Sequence, residues 1–354
     1  MSSSGPPSRV GRAAVVLVLA ALVEACAGQA GPTTGEHLVE RARASMGSDL
    51  RLTAWTGDDA AAGAAFDAVF REFDRLEDLM SVWREGSDIL RLNAAAGDHP
   101  VSVSADVREA LTIAHQVSDW TGGTFDVTFG VLSGLWKFDY QDKASVIPDR
   151  SEVLKRLPLI NYRDLEVDDQ AGTAFLKRKG MRVNLGGIGK GYAVDRAVDI
   201  LRRRGFSNFM IQAGGDMYVA GRRGNRPWRL GIRDPRGPSD RSFAELELSN
   251  GTFSTSGDYE RFFLENGRRY SHIIDLSRGE PAQLCRSVTL VTDRAVIADA
   301  LAKGVFILGP AAGMALVERL KNVEAVIVSA RNEVLVSPGL RDRLVLLTPP
   351  TDAP

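Results

Sequence analysis

Cysteine and histidine are scarce in this chain, with two of the first and four of the second among 354 residues. Two cysteines cannot build a disulfide framework, and no Cys/His cluster shows the spacing of a zinc site. Basic runs are missing too: the longest is Arg202-Arg203-Arg204, and 44 Lys+Arg stand against 45 Asp+Glu for a net charge of −1. A nucleic-acid binder has to neutralise many phosphates, so this balance argues against one and in favour of small ligands. No apolar run is long enough to span a bilayer as a helix. No internal repeat recurs, and no low-complexity linker divides the chain after residue 35. What is present is apolar material, 44% of the residues. That suffices to fill one large core or two smaller ones and excludes a solvated disordered chain.

Arg9 and Arg12 precede an apolar run from Ala13 to Val23, the length of a signal-peptide h-region. Residues 1–27 therefore read as a targeting segment, and the mature protein is expected on the periplasmic side of a bacterial membrane. Leu22-Val23-Glu24-Ala25-Cys26 resembles a lipobox, in which the cysteine becomes the lipidated first residue. Cleavage after Ala25-Cys26-Ala27 also fits the A-x-A rule. Lipidation of Cys26 is favoured because cysteine is scarce and a Gly/Thr-rich tether, assigned to residues 28–40, follows it. The membrane is then met only through that anchor, and Cys285 is left without a partner.

Further along, Phe66, Val69, Phe70, Phe73, Leu76 and Leu79 recur at helical spacing and end at Met80-Ser81-Val82-Trp83. A second helix is expected from about Asp106 to Trp120, stopped by Gly122-Gly123. A third follows Gly191, with Ala193, Val194, Ala197, Val198 and Leu201 on one face. A fourth, capped by Asp293, runs through Val296, Ala300 and Val305. Strand-like runs are Met181–Leu185, Phe209–Gln212, Met217–Ala220, Phe243–Leu248, Tyr270–Asp275, Ser287–Thr292, Ala325–Ser329 and Glu333–Ser337. Strands interrupted by single helices indicate an α+β domain with interleaved elements.

The most informative segment is Asn184-Leu185-Gly186-Gly187-Ile188-Gly189-Lys190-Gly191-Tyr192. A strand entering a glycine turn and leaving as a helix presents free backbone N–H groups to an anion, and Lys190 adds a cation. The Walker A pattern fails, with Asn184 where Gly is needed and Gly191 where Ser/Thr is needed, and no G-x-G-x-x-G register exists. A plain glycine turn with a surface lysine is an equal reading of this segment alone. Ala213-Gly214-Gly215-Asp216, Ser254-Thr255-Ser256-Gly257-Asp258-Tyr259 and Thr124-Phe125-Asp126-Val127-Thr128 lie in turns, where Gly, Ser and Asp have local reasons to be. A serine nucleophile is discounted because G-x-S-x-G is absent. Of the histidines, His37, His99 and His115 read as solvated or packed. His272 differs, because Ser271-His272-Ile273-Ile274-Asp275 leads into a turn where a general base could face a pocket. Asp299 and Lys303, four apart on one helix, read either as an acid-first i,i+4 ion pair or as a site where Asp299 ligates Mg²⁺.

Taken in order with Ala298-Asp299-Ala300-Leu301, these motifs resemble the ApbE-type FAD:protein FMN transferases, from about Met46 to Leu347. The resemblance implies an α+β fold on a T-fold-like antiparallel core over residues 41–348, with FAD as substrate, Mg²⁺ as metal and a flavin-accepting protein as partner. It implies attack of a Thr or Ser hydroxyl of that partner on the FAD pyrophosphate, leaving FMN attached and releasing AMP. By the match, Met46, Trp83, Thr124, Phe125, Asp126, Asn184, Lys190 and Ile273 fall on FAD contacts. Gly187 and Asp299 fall on the metal, and His272 falls on the base.

Some positions depart from the family pattern. Lys303 stands where the family usually has a metal-site Thr, Asn184 where it has Asp, and Gln212 where it has Asn. Asp275-Leu276-Ser277-Arg278-Gly279 replaces Asp-Pro-x-Thr-Gly. An ammonium cannot ligate a cation. The changes at 303 and 184 move the site toward positive charge, which suits holding a diphosphate without a metal better than through one. Flavin transfer is thus the first reading. An FAD-binding member without transfer is the second, and an exported solute-binding or assembly lipoprotein keeping only the fold is the third.

Overall fold

The computed structural model describes residues 35–138 and 145–353; the targeting segment and Cys26 lie outside the described residues. Gly35–Pro354 forms one compact unit. Its centre is an eight-stranded antiparallel sheet, ordered His37–Ser45, Ser48–Thr56, Phe209–Ala213, Asp216–Ala220, Asn250–Gly257, Cys285–Val291, Glu324–Ser329, Val334–Val336.

Strand alternation divides the apolar residues of this sheet between two cores. Ala325 and Ile327 face the larger core, which they share with Phe66 and Phe73 of the helix Asp59–Met80, Val117 of Ala105–Trp120, Val194 of Gly189–Arg203 and Phe306 of Ala295–Leu308. Val326 and Val328 face the smaller core, built with Trp228, Ile232 and Phe243 of a three-stranded sheet (Trp228–Arg233, Ser242–Leu248, Leu344–Leu346). Helices cover one face of the central sheet and a second sheet covers the other, the α+β arrangement expected. The helix starts are local: Asp58 accepts from Ala61 N–H, and Ser104 accepts from Val107 N–H.

Four expectations are corrected. The first strand begins at His37, so residues 37–40 of the presumed tether belong to the sheet. Met181–Leu185 forms no strand, only a bridge between Arg182 and Phe129. The Asn93 side chain takes over the backbone of Val183, accepting from its N–H at 2.6 Å and donating to its C=O at 2.9 Å. Tyr270–Asp275 is broken at His272–Ile273, since Arg268–Ser271 pairs with Phe262–Glu265 while Ile274–Asp275 pairs with Glu280–Pro281. Finally, Asp293 does not cap the fourth helix. That role falls to Asp195 of the Gly189–Arg203 helix, which accepts from the N–H groups of Ala295 and Val296 at 2.7 and 3.3 Å.

Candidate active site

Two helices meet at their N-terminal turns to make the site. Leu185-Gly186-Gly187-Ile188 turns directly into the Gly189–Arg203 helix, and Asn184 Oδ1 holds that turn by accepting from Gly186 N–H at 2.8 Å. Its Nδ2 donates to Ser133 Oγ at 3.2 Å. Gly191 sits against the Ala295–Leu308 helix so closely that a Cβ there would stand 2.7 Å from Asp299 Cβ and 2.8 Å from Ala295 C. This approach lets Gly191 N–H donate to Asp299 Oδ2 at 2.9 Å.

Asp299 is fully buried. Burial alone would raise its pKa, but Lys303 and Lys190 outweigh it and hold the carboxyl below its ordinary value. Lys303 Nζ donates both to Asp299 Oδ1 and, at 2.9 Å, to the Asp299 carbonyl oxygen. The Lys303 stem lies over Gly187, where a Cβ would be 3.2 Å from Lys303 Cδ and 3.4 Å from Phe125 Cε2. Asp216 supplies the second buried carboxylate, accepting from Ser254 Oγ and pairing with Lys190 Nζ at 3.3 Å. Burial and the neighbouring Asp299 raise its pKa, whereas the attraction of Asp299 and Asp216 raises that of Lys190 despite burial.

His272 completes the site. Its N–H donates to Arg261 O at 3.0 Å, and its Nδ1 lies 3.3 Å from the same oxygen. A carbonyl only accepts, so Nδ1 carries the proton and Nε2 is left as a free base. The ring keeps some contact with solvent between its protein walls. Burial first, then the cations Lys303, Arg261 and Lys190, push its pKa down to about 3. At neutral pH the imidazole is uncharged.

The other expected residues fall around this centre to different degrees. Met46 is at the tip of the first hairpin with φ +49°, followed by Gly47 at +70°. That backbone normally takes Asn or Gly, and Arg261 donates to Gly47 O at 3.0 Å to tie the tip to the His272 segment. Phe125 walls Gly187, and Thr124 Oγ1 is 3.3 Å from Gly304 O. Trp83 is 85% exposed, the most exposed large aromatic among the described residues, three residues from Met80, which packs near Gly189. Asp126 ties its own loop: Thr128 N–H and Oγ1 donate to Oδ1, and Tyr162 N–H to Oδ2, each at 2.7 Å. Ile273 is buried in the main core. Arg261 and Asp195 were missed from the sequence. Arg261 directly follows Asp258-Tyr259-Glu260, but nothing in its local pattern says that the chain folds back onto Gly47. Asp258 pairs with Arg236 at 2.7 and 2.8 Å and fastens a loop.

A divalent cation does not fit these residues as they stand. Each oxygen of Asp299 already receives a nitrogen donor, and Lys303 contacts two of them. Among the described residues no group of three or more His, Cys, Asp or Glu could hold a metal.

A buried pair of carboxylates countered by two lysines, one of them at a helix start, beside a neutral histidine, defines an anion-holding site with a base at its edge. The ApbE family profile matches residues 46–327, and the chain belongs to that family. A Klebsiella pneumoniae FAD:protein FMN transferase is 30% identical over 84% of this chain and 91% of its own. One from Treponema pallidum is 31% identical over 87% and 89%. The crystal structure of the ApbE protein of Thermotoga maritima superposes with a TM-score of 0.79 at 29% identity, covering 87% of this chain and 99% of that one. The flavin transferase ApbE of Vibrio cholerae gives 0.77 at 26% identity, with the same coverage.

Proposed function

We propose that this chain takes FAD as substrate and transfers its FMN half to a Thr or Ser hydroxyl of an acceptor protein, releasing AMP. The observation that carries this is the neutral His272, its Nδ1 fixed on Arg261 O, set beside the Lys190 and Lys303 cations. The names of the Klebsiella and Treponema relatives support it. Lys190 and the positive end of the Gly189–Arg203 helix hold the diphosphate. Met46, Phe125 and the exposed Trp83 offer apolar surface for the flavin and adenine rings. The acceptor oxygen bonds to the phosphorus of the FMN half while its proton passes to His272 Nε2. The P–O bond to the AMP half breaks, and AMP leaves with that electron pair. Bound diphosphate offsets the cations that depress the histidine, so its basicity rises when substrate is present.

Export belongs to the same reading. Cys26 carries a lipid anchor at the periplasmic face, supported by the basic, apolar and Cys-terminated order of residues 9–26. Incubating the protein with FAD and a Thr-containing acceptor peptide should yield AMP and a peptide heavier by one FMN less a water. FAD binding without either product would leave the second reading, an FAD-binding member that does not transfer. For export, Cys26→Ser should move the protein from the membrane to the soluble exported fraction, and unchanged membrane association would overturn the anchor.

A further inference from the structure

Lys303 is not placed like a surface lysine. Its stem packs against Gly187, within reach of the Phe125 ring, at a point where a glycine Cβ would crowd it at 3.2 Å. Its side chain is 20% exposed, and its ammonium is held by two acceptors on Asp299. An ammonium has three N–H donors. Two are spent on Asp299, which leaves one for a ligand oxygen. Among the described residues around it, Lys190 and Arg261 are the other cations and Asp216 and Asp299 the anions, so three positive groups face two negative ones before substrate enters.

We propose that the Lys303 ammonium does in this chain the work of a divalent cation, holding the diphosphate of FAD through a cation tethered to the protein, so that FAD binds without metal. This rests on the reading of the site as an FAD site. A Mg²⁺ ion needs near-octahedral oxygen ligands at about 2.0–2.1 Å, and on Asp299 it would have to displace the ammonium from Oδ1 and then tolerate it as a neighbouring like charge. Lysine also differs from a metal in that its charge is tethered covalently. Held on Asp299, its remaining N–H can meet a phosphate oxygen as negative charge gathers on the departing AMP.

FAD affinity of the wild-type chain, measured by quenching of flavin fluorescence, should agree within about threefold between excess EDTA and millimolar Mg²⁺. Lys303→Thr should lose at least about tenfold in EDTA, the scale expected for a lost charge-assisted contact, and regain affinity when Mg²⁺ is added. Mn²⁺ alone, followed by its paramagnetic resonance, should bind Lys303→Thr and not the wild type. A wild type whose FAD affinity rises tenfold or more with Mg²⁺, or a Lys303→Thr variant unchanged in EDTA, would overturn the proposal. If the variant does not fold, the wild-type comparison alone still decides. Transfer assays keep the two readings apart. FAD binding in EDTA with no FMN on the acceptor at any metal concentration sinks the transferase reading and leaves this one. Mg²⁺-dependent binding followed by transfer does the reverse.

Discussion

Gly191 is where the two site helices touch, and Gly191→Ala tests whether that contact holds the site together. The added Cβ would meet Asp299 Cβ at 2.7 Å and Ala295 C at 2.8 Å, and the Ala295 oxygen closer still. Carbon pairs rest at about 3.5–4.0 Å, so the helices must separate by roughly 0.7 Å or more. Neither neighbour can swing aside, because one is backbone and the other is the root of a side chain pinned by Lys303 and Gly191. Overpacking of this kind costs about 3 kcal/mol, the upper end of the usual range. Alanine recovers about 1 kcal/mol of helix propensity. A net loss near 2 kcal/mol lowers Tm by about 3 °C in a domain of this size.

Gly189→Ala is the control on the same helix. Its Cβ finds nothing nearer than Met80 Sδ at 3.9 Å, so it should match or slightly exceed the wild-type Tm in differential scanning calorimetry. Gly191→Ala should also bind FAD roughly tenfold more weakly, about 1.4 kcal/mol, because separation pulls Asp299 and Lys303 away from Lys190. If Gly191→Ala melted like Gly189→Ala and bound FAD like the wild type, the close approach of the two helices would be wrong, and with it the geometry of Asp299.

Three further outcomes are expected. Lys190→Ala should weaken FAD by about 1–3 kcal/mol and leave riboflavin, which lacks phosphate, unchanged in a quenching assay; equal wild-type affinities for FAD and riboflavin would remove the anion site. His272→Gln should cut FMN transfer by about 10²–10⁴-fold with FAD affinity nearly kept. Because the free imidazole titrates at about 3, kcat/KM should show no acid limb from this group near pH 6.5, and one that disappears in the variant would contradict the assignment. Asp195 titrates at about 6, raised mainly by burial and relieved in part by the N–H groups of Ala295 and Val296 and by Arg294. A carboxyl with a raised folded pKa gives stability that is complete below its unfolded value near 3.8 and lost as pH rises through about 6. Denaturant midpoints should therefore fall over that window by about 3 kcal/mol of stability, and Asp195→Asn should flatten the slope.

The parts of the site that were readable from sequence are those whose chemistry is local. Gly187, Lys190 and Gly191 declare themselves because a glycine turn and a helix start occupy consecutive residues. Asp299 and Lys303 do so because an i,i+4 spacing forces a shared face. Strands such as Phe209–Ala213 showed through alternation, since each side of the central sheet is buried against a different layer. Met181–Leu185 misled because an alternating apolar/polar run looks the same whether a strand or one Asn93 side chain takes the hydrogen bonds of Val183. The local role of Asp126, whose carboxylate ties Thr128 to Tyr162, depends on a contact 36 positions along the chain that its own segment does not announce.

What sequence could not show is the way separate segments fix one another. Asp195 faces Ala295 and Val296 across 100 and 101 positions of chain, so the helix bearing Lys190 also caps the helix bearing Asp299. Gly191 adds a second link between the same two elements. Arg261 joins the His272 segment to the Gly47 hairpin, 214 positions away. Each tie uses a backbone group at a helix start or turn, the groups that lack partners within their own element. The same shortage that makes a helix start attractive to phosphate thus locks the two helices together here. Lys190 and Lys303 can face one ligand because Asp195 and Asp299 have already taken the N–H groups of Ala295, Val296 and Gly191 that would otherwise compete for it.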